Sequence, residues 1–300
     1  MRKYDKTLVV VTGPTGSGKT DIAVEMAQSL GCEIVSADSR QMYRELPIGT
    51  AAPTARQLAA VPHYLVGNLE LEDYYSAARF EEDVLALLPK LWMRSDYAIM
   101  CGGSMMYIDA VCNGIDRLPT VSDANREAAL RVYLEGGLEA LIERLKAVDP
   151  VYLAKAPDLK NHKRLVHALE VSLEAGLPYS SLLTGQRVER EFNIVKFAVS
   201  RPREELFDRI NSRVDAMMAA GMEEEARQVY HKRHLNSLNT VGYKELFAMF
   251  DGIMDRETAI ARIGKNTRVY AKKQMTWLKR DGEVRYITGA AEALDYLMHT

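Results

Sequence analysis

Residues 7–20 read TLVVVTGPTGSGKT, and this stretch decides the fold. Leu8 to Thr12 form a β-branched run, a glycine-rich loop follows, and DIAVEMAQSL (21–30) continues with apolar residues at helical spacing. The order is strand, loop, helix, and Gly13, Gly18, Lys19 and Thr20 meet the pattern GxxxxGK[ST]. Glycines let backbone N–H groups turn inward around a polyphosphate, and the helix adds its positive N-terminal end. Lys19 supplies a point charge and Thr20 a hydroxyl for Mg²⁺. The pattern predicts that Gly13, Pro14, Thr15, Gly16, Ser17, Gly18, Lys19 and Thr20 hold a diphosphate or a triphosphate, without saying which.

Bulk composition narrows the setting. At 300 residues the chain has room for one large domain, or a domain with an insertion. With 47% apolar and 27% charged residues it reads as a globular protein, and 39 basic against 41 acidic residues give −2, so global charge announces no nucleic acid. The longest apolar runs, such as LVVV at 8–11, are too short to span a membrane. MRKYDK is followed by too few apolar residues for a signal peptide. Cys32, Cys101 and Cys112 are odd in number and lie in no CxxC spacing, as expected of reduced thiols in a cytoplasmic protein.

A phosphate-cleaving reading wants an acid closing a later strand, to hold Mg²⁺. The best later strand, Tyr97 to Cys101, ends instead in Gly102, Gly103 and Ser104. The carboxylate stands at the end of the second strand, where SADSRQMY (36–43) follows the short run EIV. In parallel α/β sheets the chemistry gathers at the carboxyl ends of the strands, so the phosphate loop, Asp38 and Ser104 should converge. Asp38 is then a candidate general base or metal ligand, and the competing reading is a cap on the next turn.

These blocks resemble a known family. GPTGSGKT, SADSRQMY, IGTAAPT (48–54), CGGSMMY (101–107), DRINSRVDAMMAAG (208–221), NTVGYKE (239–245) and TRVYAKKQMTWLK (267–279) are similar, in the same order, to the bacterial tRNA dimethylallyltransferases. GPTGSGKT alone is shared with many kinases, whereas the DSRQ, VGYKE and KKQMTWLK blocks are far more specific. The resemblance implies transfer of a dimethylallyl group from dimethylallyl diphosphate to N6 of adenosine 37 in the tRNA anticodon stem-loop, with Mg²⁺ as cofactor. The phosphate loop then holds an isoprenoid diphosphate, which explains the missing second acid. By resemblance Asp38 is the general base, Thr15, Lys19 and Thr20 grip the diphosphate, and Arg209 stands near it, with Arg213 the competing choice. The implied tRNA contacts are Asp38, Ser39, Arg40, Gln41, Ser104, Asp123, Lys163, Arg164, Asn239, Gly242, Tyr243, Lys244, Thr267, Arg268, Lys272, Lys273 and Gln274. Ser104 replaces the threonine common in the family and keeps its hydroxyl.

Residues 261–280, ARIGKNTRVYAKKQMTWLKR, contain seven basic residues and no acid. At about 100° per residue Lys265, Arg268, Lys272 and Lys279 share an arc, with Ile260, Ile263, Ala271 and Leu278 roughly opposite. A basic stripe over an apolar face suits a phosphate backbone, although a charged run is most often a solvated face. Residues 122–190 show helical spacing broken at Gly136-Gly137, Asp149-Pro150 and Ala156-Pro157, with no strand-like run until FNIVKFAVS (192–200).

The fold expected is therefore α/β: a P-loop NTPase-like parallel sheet flanked by helices over 1–120 and 191–300, with a helical insertion over 121–190, which the resemblance implies grips tRNA. No repeated apolar stripe suggests an oligomer, so a monomer is expected. Three rivals share some of these features. A small-metabolite kinase leaves the basic helix unused. An adenylate isopentenyltransferase, acting on free nucleotide, does not need the helical lobe. A non-catalytic RNA-binding protein does not need an intact Lys19, Thr20 and Asp38.

Overall fold

In the computed structural model, which describes residues 3–156 and 158–299, strand β1 (Thr7–Thr12) is buried along its whole length. That burial accounts for its unbroken apolar character, because a parallel strand covered on both faces has no polar side. It pairs in parallel with β4 (Tyr97–Gly102) on one side and β5 (Asn193–Val199) on the other. With β2 (Ile34–Ser36), β3 (His63–Tyr64) and β6 (Val284–Ile287) it forms a six-stranded sheet of order β3-β2-β4-β1-β5-β6, parallel throughout. Chain order reverses at β1, between β4 and β5, which is where such sheets open a crevice at their carboxyl ends. The two-residue strand β3 is too short to have left a periodic signal in the sequence.

Helices α1 (Lys19–Leu30) and α13 (Ala290–Met298) cover one face. There Val9, Val11, Ile34, Ile99, Cys101 and Phe197 pack with Met26, Ala27, Ala293 and Leu297. The alternate residues Leu8, Val10, Ala98 and Met100 are equally buried. Between β2 and β4 lie α2 (Ala55–Ala60) and α3 (Ala77–Leu91), and α4 (Met105–Asn113) follows β4. Phe80 of α3 stacks on Tyr107 of α4 with ring centroids 4.4 Å apart. After β5 come α9 (Arg203–Ala219), α10 (Met222–Val229), α11 (Tyr243–Phe250) and α12 (Arg256–Leu278). Met222, Ala226 and Val229 form a second core with Tyr243, Leu246, Phe247 and Ile263.

The chain divides into two compact units, one running to Asn113 and again from Glu189, the other Gly114–Val188. The second holds α5 (Asp123–Val148), α6 (Pro150–Lys155), α7 (His162–Ala175) and α8 (Tyr179–Leu182) around Ala129, Leu141, Leu145, Leu165 and Leu169. α5 leaves helical geometry at Gly137, where φ is 70° and ψ −164°, a conformation that glycine adopts without strain. Buried Asp149 caps α6 through the Tyr152 N–H (2.9 Å) and also accepts the Ser180 hydroxyl (2.7 Å). Among the described residues no helix is long and apolar enough to cross a membrane.

Candidate active site

The loop between β1 and α1 is held from outside. Arg209 Nε donates to the Gly16 carbonyl at 2.8 Å and Arg201 Nε to the Ser17 carbonyl at 3.2 Å. With carbonyls turned outward, N–H groups are left for an anion within the loop. Gly16, at φ +84°, could not be otherwise, since a Cβ there would lie 2.9 Å from Ile210 Cγ1. Gly18, at φ 86°, starts α1 in the left-handed region.

The ends of β2 and β4 interlock beside this loop. The Ala37 N–H donates to the Cys101 carbonyl (2.8 Å) and the Ser104 N–H to the Ala37 carbonyl (3.1 Å). A Cβ on Gly102 would meet the Ala37 carbonyl oxygen at 2.1 Å, which explains the first glycine of CGGS. Ser104 Oγ accepts the Ser39 N–H at 2.8 Å and donates to the Ser39 hydroxyl. Asp38 Oδ1 accepts the Arg40 N–H at 2.9 Å and the Gln41 N–H at 3.4 Å. Asp38 thus caps a turn through Oδ1 and also lines a cavity.

That cavity has a volume of about 340 Å³. Its lining combines polar residues, among them Thr15, Lys19, Thr20, Asp38, Ser104 and Arg213, with an apolar wall of Ile210, Val214, Met217, Met222 and Ile263. Burial lowers the Lys19 ammonium from its usual range, and the Arg213 charge pushes the same way, while Asp38 opposes both. Burial also works against the Arg213 charge, which the Asp38 carboxylate favours. Two partly uncompensated cations beside a carboxylate suit a multiply charged anion. Burial pushes the Cys101 thiol, whose sulfur contacts the Lys19 carbonyl, up to about 12, so it stays a neutral thiol.

Twelve of the residues singled out from sequence gather here. Thr15, Lys19, Thr20, Asp38, Ser39, Arg40, Gln41, Ser104, Asn239, Lys244, Thr267 and Gln274 all line the cavity. Several of them are also bound to the protein itself. The Gln41 amide donates to the Ala51 carbonyl at 2.9 Å, Arg40 donates to the Ser237 carbonyl at 3.0 Å, and Gln274 bridges two loops. Four expectations need correction. Arg209 does not line the cavity, because its guanidinium braces Gly16 from outside, and Arg213 is the arginine that reaches in. Gly242 and Tyr243 are buried rather than presented to RNA: a Cβ on Gly242 would meet Met222 Cε at 2.3 Å, and the Tyr243 hydroxyl donates to Glu225 at 2.5 Å. Gln274, expected on tRNA, is 3% exposed, with its amide taken up by Thr15 and Gly103.

The stripe itself is present. Lys265, Lys272 and Lys279 are exposed, with Ile263, Ala271 and Leu278 buried opposite, and Lys273 is exposed beside the arc. Arg268 instead hydrogen-bonds Asn211. Asp123, Lys163 and Arg164 are exposed on the helical unit. Sequence reasoning missed Glu225, Tyr270 and the apolar wall. A signal existed for Glu225, since 222, 225, 226 and 229 share one helical face and the other three are apolar.

Comparison with known proteins gives the family. The model of the family described as IPP transferase matches residues 41–281. A tRNA dimethylallyltransferase 1 of Phocaeicola vulgatus is 55% identical over 278 residues, 93% of this chain and 92% of the relative. One from Bacteroides thetaiotaomicron is 52% identical over 97% of this chain and 95% of its own. Among solved structures, a tRNA isopentenylpyrophosphate transferase from Bacillus halodurans superposes with a TM-score of 0.68 at 31% identity, covering 94% of this chain and 89% of that one. A eukaryotic dimethylallyltransferase acting on tRNA shares the fold at a TM-score of 0.78 and 22% identity, over 97% of this chain and 76% of that one. On these matches, spanning nearly its whole length, the chain belongs to the IPP transferase family.

Proposed function

We propose that the protein transfers a dimethylallyl group from dimethylallyl diphosphate to N6 of adenosine 37 in the tRNA anticodon loop. One observation carries the reading: a single cavity joins the cationic phosphate loop, the Asp38 carboxylate and an apolar wall. The diphosphate suits Thr15, Lys19, Thr20 and Arg213, and the five-carbon group suits the wall of Ile210, Val214, Met217 and Met222.

The N6 lone pair is delocalised into the adenine ring, so N6 attacks poorly unless it is placed against the allylic carbon and relieved of a proton. Asp38 Oδ1 is engaged with the turn, so Oδ2 is the proton acceptor. As the N6–carbon bond forms, the carbon–oxygen bond breaks, the proton passes to Asp38 and diphosphate departs on the cations. Lys19, Arg213 and the loop N–H groups stabilise the charge that develops on the leaving oxygen. Mg²⁺ would be held by the Thr20 hydroxyl and the substrate's own oxygens, the open coordination this ion favours, and would neutralise part of that charge.

Adenosine 37 must leave its stack to reach Asp38, which is base flipping from a single-stranded loop. Ser39, Asn239, Lys244 and Thr267 at the cavity would receive it. Lys272 and Lys273 of α12, with Asp123, Lys163 and Arg164 of the helical unit, would contact the stem-loop. We place the reaction in the cytoplasm, on a monomer. The test is transfer of label from dimethylallyl diphosphate, with Mg²⁺, to unmodified tRNA or to AMP. Label in tRNA supports the reading. Label in AMP alone replaces it with nucleotide modification, and label in neither removes it.

A further inference from the structure

Glu225 lies in an acidic run, MEEEA (222–226), that reads as solvated, yet it is 7% exposed. Its Oε2 accepts the Ile48 N–H at 2.8 Å, and its Oε1 accepts the Gly49 N–H at 2.7 Å and the Tyr243 hydroxyl at 2.5 Å. These donors are neutral, and a buried carboxylate is costly unless hydrogen bonds such as these satisfy it. Its task visible in the structure is to hold the 48–51 turn. No Cβ fits on Gly49, where it would come 2.4 Å from the Tyr243 hydroxyl oxygen, and Ala51 adopts φ +46°, an uncommon conformation for alanine.

The turn's other side faces the chemistry. The Thr50 carbonyl accepts from Arg213 (3.5 Å) and from the Gln41 amide (3.3 Å), and the Ala51 carbonyl accepts from the same amide (2.9 Å). The Gln41 backbone N–H in turn donates to Asp38 Oδ1. One buried carboxylate therefore sets a turn that anchors both the arginine and the aspartate of the cavity. We infer that Glu225 is a positioning residue for the transfer reaction, acting through Ile48 and Gly49 on Arg213 and Asp38 without touching substrate. The inference rests on the roles proposed above for those two residues.

Glu225→Gln keeps the volume but sets an amide NH₂ against backbone donors, so at least one of the turn's two anchors is lost. Misplacement of reacting groups by about 1 Å costs on the order of 10²-fold in rate. The test is steady-state transfer to tRNA by wild type, Glu225→Gln, Glu225→Asp and Tyr243→Phe, with thermal unfolding of each. Glu225→Gln should lose about 100-fold in kcat, with KM for tRNA unchanged and the protein folded. Glu225→Asp should recover part of that loss, and Tyr243→Phe, which leaves both backbone bonds, should lose only a few fold. Wild-type kcat in folded Glu225→Gln overturns the inference. So does a rise in KM alone. If Glu225→Gln does not fold, Glu225→Asp decides, and a wild-type kcat there also overturns it. An inactive wild type would remove the proposed function itself, whereas an active wild type with an indifferent Glu225 removes only this role.

Discussion

Gln274 Oε1 accepts the backbone N–H of Thr15 at 2.9 Å, so α12 carries one side of the phosphate loop. The same amide donates to the Gly103 carbonyl at 2.9 Å, and a Cβ on Gly103 would meet its nitrogen at 2.3 Å. Three of the sequence blocks, GPTGSGKT, CGGS and KKQ, therefore meet at one buried amide. One turn further on, Trp277 Nε1 donates to Asp109 at 3.0 Å and ties α12 to α4. The helix whose exposed lysines suit RNA is thus fastened to the loop that suits diphosphate.

Gln274→Leu should leave the Thr15 N–H and the Gly103 carbonyl without partners, at about 1–3 kcal/mol for each group that water does not reach. Chemical denaturation should show the loss of stability. Steady-state kinetics should show a several-fold rise in KM for dimethylallyl diphosphate. An unchanged KM would mean the bridge does not shape the loop.

Arg213→Ala should reduce kcat by roughly 10²–10³, the range for losing one preorganised donor at a developing charge. Arg209→Ala should cost much less, because the Arg209 guanidinium donates to the Gly16 carbonyl and does not line the cavity. The two variants, assayed side by side for transfer, decide which arginine serves the diphosphate. The reverse order would return Arg209 to that role.

Lys272→Glu with Lys273→Glu should weaken tRNA binding and flatten its salt dependence, by about 0.7–0.9 in log–log slope for each phosphate no longer neutralised. Binding of dimethylallyl diphosphate should not change. Filter binding across a salt series reads the first, and isothermal titration the second. An unaltered slope would make the stripe a solvated face.

The helical unit should lose stability in acid through Glu174. Its carboxyl is held down from 4.5 to about 2 by the Asn125 amide and by the hydroxyl and N–H of Ser122. A depressed carboxyl stabilises the fold above pH 4.5, and that contribution disappears as pH falls from 4.5 toward 2. Thermal unfolding between those limits should fall more steeply in wild type than in Glu174→Gln. Parallel curves would remove Glu174 from the acid response.

Local signals carried much of the architecture. The strand–loop–helix of 7–30, the strands at 97 and 193 and the basic amphipathic α12 each announce themselves within about twenty residues by periodicity and glycine spacing. The convergence of Asp38 and Ser104 on the phosphate loop followed from the geometry of parallel sheets. Long-range partnerships were not legible. Tyr243 looks like a contact residue until its hydroxyl is seen on Glu225, and Gln274 looks like part of a polar face until its amide is seen between two loops. Arg209 and Arg213, one helical turn apart on α9, could not be separated by sequence, because only packing against Gly16 turns one outward.

The central claim is that Asp38 takes the proton from the attacking amine inside the cavity that holds the diphosphate. Single-turnover transfer to tRNA by Asp38→Asn, with the dissociation constant for dimethylallyl diphosphate measured on the same protein, tests it most directly. The account predicts binding within a few fold of wild type and a rate lower by about 10²–10⁴, the range for losing a general base. Equal losses of binding and rate would contradict it and make Asp38 part of the diphosphate and metal site, and an undiminished rate would remove Asp38 from the chemistry.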